Sequence, residues 1–492
     1  MAEIAARLDD RFRLLTGGPR TALPRQQTLR ATLDWSHYLL TESERVLLRR
    51  LAVFVGGWTL GAAEAVCAGN GVAADDVLDL LSGLVQKSLV TWAEDPMPWG
   101  GDSDARYRSL ETIRQYALER LRASGEREVV RRRHALHYLA LAERAEPELT
   151  GPVQGPWLAR LEREHDNLRT ALEWARANEE VESGLRLAGS LWRFWWACGH
   201  LAEGRGWLEQ FLARQRAAGA DVIPSVGRSN VGAVDPLIVM GPCPRAARAK
   251  ALAGAGVLTY WQTDQHGATA LLEESLRLSR ERGDKQGMAI ALNTLGAIAK
   301  DRGDYRRATA LAEEGLTLRR GLGDRQGIVV SLSLLGLVAM LQGDDRGATV
   351  RCEESLSLAR DVGYAWGMGV SLMVLGRVAR ERHDYQRVTT LFEECLSLAR
   401  PLGQAPGVAV SLEGLAHLAW IQGQPERATL LYGAAAALRQ AATTPLPPVE
   451  RAFYDQTVTA LRAALVDGGF EIAWSQGQAL SLEDAVAMAL SR

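Results

Sequence analysis

Four stretches of the chain begin almost alike: LLEESLRLSRERGDKQG (residues 271–287), LAEEGLTLRRGLGDRQG (311–327), RCEESLSLARDVGYAWG (351–367) and LFEECLSLARPLGQAPG (391–407). The spacing of 40 residues also holds between them, where a leucine precedes a small residue once per period. These pairs are Leu295-Gly296, Leu335-Gly336, Leu375-Gly376 and Leu415-Ala416. A fixed period of roughly 20 to 50 residues is typical of stacked units that bury their apolar faces only against one another.

Each unit is predicted to be a pair of antiparallel helices. The first helix has an apolar stripe at helical spacing, as in Leu292, Leu295 and Ala299. A Gly-Asp turn at 303–304 precedes a second helix with small residues such as Ala308 on one face. This pattern resembles the tetratricopeptide repeat, although its period is longer than the usual roughly 34 residues. It predicts a mainly α fold in which a right-handed α-solenoid of such pairs occupies residues 246–441.

Composition excludes several classes of protein. The 492 residues carry a formal net charge of −2, so no global basic field points to nucleic acid. The start of the chain lacks an apolar signal run, and no apolar stretch approaches the roughly 18 residues needed to span a bilayer. We therefore expect a cytoplasmic protein. The five cysteines have neither metal-ligand nor redox spacing and are predicted to be reduced: Cys67, Cys198, Cys243, Cys352 and Cys395.

Residues 21–122 predict a winged-helix domain. Three helices are expected here. The first spans about 28–38, the second begins at the capping box Thr41–Glu44 and ends at about 54, and the third runs from Thr59 to Val66. A further helix begins at Asp75-Asp76, and two strands flank a loop rich in proline and glycine at 95–102. This order of helices followed by a two-stranded hairpin is that of a winged helix.

Several longer stretches resemble bacterial AfsR/LuxR-type transcriptional regulators of the STAND class. They are LPRQQTLRATLDWSHYLLTESERVLLRRLAVFVGGWTLGAAEAVCAG (23–69), LVQKSLV (84–90), YRSLETIRQYALERL (107–121), LEREHDNLRTALEWA (161–175) and LAGSLWRFWWACGHLAEGRGWLE (187–209). In that class a nucleotide-binding module precedes a winged helix and helical sensor repeats. The resemblance implies the C-terminal half of such a regulator.

On this basis the chain divides into six predicted segments. They are a remnant of the nucleotide-binding module (1–20), the winged helix (21–122), a helical connector (123–215), a flexible loop (216–245), the repeats (246–441) and C-terminal capping helices (449–492).

No enzymatic chemistry is predicted. The phosphate-binding pattern GxxxxGK[ST] is absent from the sequence, so we expect neither ATPase activity nor a nucleotide cofactor. His134 and His137 are three residues apart but lack an obvious third ligand, so no metal site is predicted. The Glu-Glu pairs recur with the repeat and are interpreted as structural: Glu273-Glu274, Glu313-Glu314, Glu353-Glu354 and Glu393-Glu394. An ATPase fragment whose phosphate-binding module lies outside this sequence remains an alternative.

Direct DNA binding is a second alternative, and it is disfavoured. The third helix of a winged helix can enter the major groove. Here that helix carries Asp75, Asp76 and Asp79 without a lysine or arginine, and carboxylates repel phosphates. The run Arg131 to His134 is interpreted as a solvated helix face. The aromatic cluster at 192–196 is interpreted as core packing between helices.

The inner face of the repeats is the predicted binding surface for a protein or small effector. By tetratricopeptide geometry, the exposed inner positions are Lys250, Tyr260, Asn293, Lys300, Ser333, Met340, Met373, Arg377, Arg380, Glu413, His417 and Trp420. Met340 and Met373 would provide an adaptable apolar centre, and the arginines would hold a carboxylate. We interpret the chain as a non-catalytic sensor module whose partners are this ligand and a separate nucleotide-binding module.

Overall fold

A computed structural model describes residues 29–94, 105–151, 153–217, 244–399, 405–441, 446, 448–465 and 468–491. Contacts divide the described chain into two compact units, the first ending at Gly254 and the second beginning at Ala255. Residues 150–152 group with the second unit. The predicted nucleotide-module remnant and the 95–102 loop lie outside the described residues, as does most of the 216–245 loop. The six-segment division remains a prediction.

The first unit begins with the elements of a winged helix. They are α1 (Leu29–Tyr38), α2 (Glu42–Leu51), β1 (Trp58–Thr59), α3 (Leu60–Cys67), α4 (Val77–Gln86), β2 (Thr91–Glu94), β3 (Ala105–Arg108) and α5 (Glu111–Ala123). The sheet order is β1-β3-β2, and both pairings are antiparallel. Strand β1 was not predicted, because two residues are too short to show an alternating pattern.

Side-chain caps fix where the early helices begin. The Thr41 side chain accepts from the Glu44 backbone N–H, and the Glu44 carboxylate accepts from the Thr41 N–H at 2.8 Å. The predicted capping box is therefore present. Thr59 caps α3 in the same way, accepting from the Ala62 N–H. Each such cap stabilises its helix by about 1 kcal/mol.

A run of helices follows in the first unit. They are α6 (Arg127–Glu148), α7 (Gln154–Arg163), α8 (His165–Ala177), α9 (Val181–Ala197) and α10 (Leu201–Ala217). Trp192, Phe194 and Trp195 of α9 are buried, which confirms that this aromatic cluster is core. The prediction of a solvated face at 131–134 is wrong for His134, which is buried against Phe54 and Tyr138.

A polar network joins β3 to the later helices of the same unit. The buried Arg106 guanidinium pairs with the Glu164 carboxylate and donates to the Arg163 carbonyl at 2.9 Å. Glu164 also accepts from the Tyr138 hydroxyl and from the Asn167 amide, both at 2.8 Å. Asn167 in turn donates to a backbone carbonyl of the winged helix, that of Gly57, at 2.9 Å. Removing one partner from a buried pair of this kind typically costs about 3 to 5 kcal/mol.

The second unit is built from successive helix pairs, which confirms the mainly α prediction. Helix α11 (Pro244–Trp261) crosses from the first unit, and the helices after it are α12 (Gln265–Arg282), α13 (Lys285–Asp301), α14 (Tyr305–Leu322), α15 (Arg325–Leu341), α16 (Asp345–Val362), α17 (Ala365–Glu381), α18 (Tyr385–Ala399), α19 (Ala405–Ile421) and α20 (Pro425–Ala441).

Aspartate and glycine recur at the ends of these helices: an aspartate caps the start of a helix, and a glycine follows its last residue. The side chains of Asp264, Asp284, Asp304, Asp324 and Asp344 each accept from the backbone N–H three residues later. Gly283, Gly323 and Gly363 end helices in the left-handed conformation, with φ of 67° to 69°. We call each such turn between two helices a joint. At the joint before α17, Tyr364 stands in place of the aspartate and provides no side-chain cap.

The recurring small residues allow close packing, and the recurring glutamates form ion pairs. A Cβ added to Gly336 would lie 2.3 Å from the Cys352 sulfur, and one on Gly376 would lie 2.9 Å from the Phe392 ring. Exposed arginines pair with the second glutamate of the next unit: Arg280–Glu314, Arg320–Glu354 and Arg360–Glu394. The structural interpretation of the Glu-Glu pairs is confirmed for these positions, each pair being worth about 0 to 1 kcal/mol.

Three more helices lie against the last repeat pair. They are α21 (Pro448–Ala464), α22 (Gly469–Ala479) and α23 (Leu482–Leu490). Helix α22 approaches α20 closely at Gly477. A Cβ added to this glycine would lie 2.2 Å from the Leu430 carbonyl oxygen. Arg427 of α20 donates to the Met488 carbonyl at 3.0 Å. Among the described helices, none combines the length and apolar character needed to cross a bilayer.

Candidate functional site

A cavity of about 540 Å³ lies in the second unit, between the first helices of the last two pairs and the C-terminal helix α21. Four predicted site residues line it: Met340, Arg377, Arg380 and Glu413. Phe453 and Tyr454 of α21 line it as well. We call this space the α17–α19 cavity.

Arg380 is held in this cavity by an aromatic ring and by one carboxylate. Its guanidinium carbon lies 3.9 Å from the centre of the Phe453 ring, a cation–π contact. One terminal nitrogen is 2.9 Å from the Glu381 carboxylate. Its Nε is buried and has no hydrogen-bond partner among the described residues.

His417 lies next to Arg380 and packs against the same ring. The His417 and Phe453 rings are 4.9 Å apart, edge to face. Burial, together with the nearby Arg380 charge, lowers the pKa of His417 to about 4, so its imidazole is neutral at pH 7. Its Nδ1 is also buried without a hydrogen-bond partner in the described part of the chain.

Glu413 is already paired. The Arg439 guanidinium donates to both of its carboxylate oxygens, at 2.6 and 2.8 Å, and both side chains are largely buried. A bidentate pair of this kind fixes the carboxylate in one orientation. Glu413 therefore shapes the cavity wall, and Arg377 and Arg380 are the basic groups on the first helices that line it.

The prediction that these inner positions are solvent-exposed is wrong: three of them are buried, and the other nine are only partly exposed. Arg377 is 8% exposed, Asn293 6% and Ser333 1%. Neighbouring first helices pack so closely that Asn293 Oδ1 accepts from the Ser331 hydroxyl of the next unit at 2.9 Å. The Ser333 hydroxyl lies 2.9 Å from that of Ser355, on the second helix of its own pair, and 3.4 Å from that of Ser371 on the next first helix. Arg377 faces the cavity lined by α21 residues instead of open solvent.

The other predicted positions do not gather into one site. Tyr260 donates from its hydroxyl to Asp301 at 2.8 Å, and Lys300 pairs with the same carboxylate at 2.6 Å. Met373 and Trp420 are partly buried against the core. Lys250 belongs to the first unit, where it pairs with Glu146. Any ligand-binding role of these residues remains a prediction.

Sequence reasoning missed a second cluster, in the first unit. Glu162, His165 and His200 place one potential metal-ligand atom each within 4.8 Å of one another, the single group of this kind in the described residues. The glutamate and first histidine are three apart at a helix junction, which was a usable signal. The partner histidine is 35 residues further along and could be placed only by the fold.

Comparison with family models identifies both kinds of domain. A winged helix-turn-helix domain model matches residues 40–122, and a tetratricopeptide repeat model matches residues 288–324. Both are non-catalytic domain types. The first match covers α2 to α5, and the second covers α13 and α14 with the Gly-Asp joint that follows them.

A solved structure has a similar fold over almost the whole chain. It is a Signal Transduction ATPase with Numerous Domains (STAND) protein with a tetratricopeptide repeat sensor from Pyrococcus horikoshii. The similarity covers 96% of this chain and 67% of that one, with a TM-score of 0.51 and 13% identity. In fold, the chain is similar to a STAND protein. At this identity the similarity concerns the fold alone.

The relatives in sequence include a protein named as a transcriptional regulator. A Mycobacterium tuberculosis protein provisionally named an HTH-type transcriptional regulator is 42% identical over 301 residues, which are 60% of this chain and 30% of the relative. An uncharacterized protein of the same species is 43% identical over 136 residues, 27% of this chain and 33% of that protein. The matched regions thus span about a third of these relatives' length.

Proposed function

We propose that the chain is a non-catalytic sensor module of a transcriptional regulator, and that it binds an acidic peptide or small effector in the α17–α19 cavity. The winged helix and the tetratricopeptide repeats support the general role, because repeat arrays of this type present extended binding surfaces. The ligand site within the array is our own assignment.

The observation that carries this assignment is a pair of unsatisfied polar atoms. Arg380 Nε and His417 Nδ1 are both buried and without hydrogen-bond partners among the described residues. Buried polar groups in native proteins are usually hydrogen-bonded, and leaving one unpaired costs about 1 to 3 kcal/mol. A ligand that brings an acceptor to Arg380 recovers part of that cost.

The chemistry of the cavity wall narrows the class of ligand. Arg377 and Arg380 both line the cavity, and the Glu413 carboxylate is neutralised by Arg439. The other two lining carboxylates, Asp345 and Glu381, are paired with Arg382 and Arg380. Arginine binds acidic groups such as carboxylates through two parallel hydrogen bonds. Met340, Phe453 and Tyr454 provide apolar surface beside the arginines. An acidic group attached to an apolar or aromatic side chain fits these surroundings best.

A peptide display library selected on the full chain tests the proposal. Selected peptides should contain an acidic residue next to an apolar one. Their affinity should fall by roughly 10- to 150-fold in Arg380→Met, the equivalent of one charged hydrogen bond of about 1.5 to 3 kcal/mol. Arg277→Met is the matched control, since this exposed arginine pairs with Glu281 on its own helix and does not line the cavity.

Two outcomes would contradict the assignment. In the first, selected peptides bind the Arg380→Met variant and the parent equally well. In the second, Arg277→Met weakens binding as much as Arg380→Met. Because Arg380 is partly buried, the melting temperature of each variant is measured as well, and affinities are compared only between folded proteins.

The winged helix is proposed to contact protein instead of DNA. Leu78 of α4 is 46% exposed and lies beside the exposed carboxylates of Asp75, Asp76 and Asp79. A DNA-reading helix needs lysine or arginine to neutralise phosphates. An exposed leucine among carboxylates fits a protein surface with basic residues, which a separate nucleotide-binding module can provide.

A further inference from the structure

The junction between α7 and α8 lies against the turn between α9 and α10 and brings metal-ligating side chains together. Glu162 is in the last turn of α7, His165 is the first residue of α8, and His200 lies in the α9–α10 turn. One nitrogen of His200 is 3.0 Å from a Glu162 oxygen, and the two imidazole centres are 4.4 Å apart.

We propose that Glu162, His165 and His200 bind a divalent transition-metal ion of the zinc class. Zinc accepts imidazole nitrogen and carboxylate oxygen at about 2.0 to 2.2 Å, which places tetrahedral ligand atoms roughly 3.3 Å apart. The His200–Glu162 separation of 3.0 Å is close to this value, and all three ligand atoms lie within 4.8 Å of one another. Small side-chain rotations therefore complete the site.

The surroundings of His165 match those of a metal ligand. Its Nε2 lies 3.2 Å from the Glu203 carboxylate, which Arg169 holds with hydrogen bonds of 2.7 and 2.5 Å. A proton on Nε2 that is donated to Glu203 leaves Nδ1 with the free lone pair. Metal-binding histidines in proteins usually donate their second ring nitrogen to a carboxylate in this way.

Aromatic and thiol side chains surround the cluster. Phe194 packs edge-on against the His165 ring, at 5.3 Å, and limits access of water. The Cys198 thiol hydrogen-bonds to Glu162 and lies next to the cluster.

A metal here would act on the part of the chain that holds the winged helix. His165 directly follows Glu164, whose carboxylate pairs with Arg106 of β3. A metal that holds the α7–α8 junction against the α9–α10 turn would therefore also restrict Glu164, which pairs with strand β3 through Arg106. The ion would act either as a structural metal or as an effector of the regulator. In both cases, metal binding stabilises the first unit.

Metal titration of the full chain tests this proposal. The chain is treated with a chelator, exchanged into metal-free buffer, and titrated with Zn²⁺ by calorimetry and with Co²⁺ by visible absorption. We expect one equivalent of saturable binding, the absorption bands of tetrahedral Co²⁺, and a rise in melting temperature with Zn²⁺.

Substitutions assign the ligands. His200→Gln and Glu162→Gln should each weaken Zn²⁺ binding by roughly 100-fold or more, since loss of second-shell partners alone costs about 10- to 100-fold. His266→Gln, at an exposed histidine of the second unit, is the matched control and should bind like the parent. Circular dichroism of the metal-free variants verifies folding, and Glu162 is exposed enough that its loss leaves the fold intact. Absence of saturable binding, or unchanged affinity in both variants, would overturn the proposal.

Discussion

Single residues decide how closely the helix pairs approach. At Gly336 an added Cβ would lie 2.3 Å from the Cys352 sulfur, a distance that real Cβ atoms do not reach. At Gly321, also in a helix, the added atom would meet nothing within 4 Å. The sequence predicted a small residue at the first position from its recurrence alone.

Gly336→Ala should therefore destabilise the second unit by about 1 to 3 kcal/mol, the typical cost of overpacking a core. Gly321→Ala is the control and should be neutral or stabilise the chain by up to about 1 kcal/mol, because alanine favours helix. Thermal unfolding of both variants measures the difference. Equal melting temperatures would show that the repeat tolerates a wider helix spacing than the structure has.

His134 links stability to pH. Burial lowers its pKa to about 3 in the folded chain, against an ordinary value near 6.5. The unfolded state therefore binds the proton more readily. The contribution of this histidine to stability is complete above about pH 6.5 and is lost as the pH falls toward 3, by up to about 1.4 kcal/mol per pH unit.

Melting temperatures between pH 7.5 and 5 test this linkage. The parent should melt progressively earlier as the pH falls, and His134→Gln should show a shallower decline. Other histidines with a lowered pKa, such as His137 and His165, retain part of the slope in the variant. His266→Gln should follow the parent. A variant slope equal to that of the parent would show that His134 is not buried neutral in solution.

At the scale of elements, α4 tests the function of the winged helix. The full chain should not retain duplex DNA at physiological salt, because Asp79 of α4 and Asp75 and Asp76 just before it are exposed. The double variant Asp75→Lys with Asp79→Lys should gain weak retention. Mobility shifts at about 50 and 200 mM salt measure both proteins. Steeply salt-dependent retention of the parent would favour the DNA-binding alternative.

Most elements were predictable because their signals are local. Capping residues at Thr41 and Thr59 located two helix starts, and the 40-residue period located the repeat helices. The short strand β1 has no local signal, because its existence depends on pairing with β3. The burial of Arg377 was not predictable either. It depends on a cavity closed by α21, some 70 residues further along the chain.

At the scale of the whole molecule, the C-terminal helices cover the last repeat pair. Phe470 and Val486 are buried there, and repeat arrays generally need such covers at their ends. A chain truncated after Ala441 would expose apolar surface of α20 that these helices cover, such as the Tyr432 ring that packs on Tyr454. Each apolar side chain exposed in this way costs about 1.5 to 3 kcal/mol. The melting temperature of the truncated chain should fall by roughly 5 °C or more, and binding of a hydrophobic dye should rise.

The matched control for this truncation is Ile472→Ser, since this side chain of α22 is 60% exposed. The substitution should leave both dye binding and melting unchanged. If the truncated chain melts with the parent, the C-terminal helices do not cover the repeats in solution. The cavity assigned to ligand binding would then lack the wall that α21 provides.

The aspartate and glycine joints of the repeats have a consequence for inheritance. Each joint from Asp264 to Asp344 depends only on its own cap and on a neighbouring turn, so the joints are chemically interchangeable. A recombination event that duplicates or deletes one period of 40 residues leaves every remaining joint intact. Descendants of this gene are thereby free to lengthen or shorten the array in whole steps.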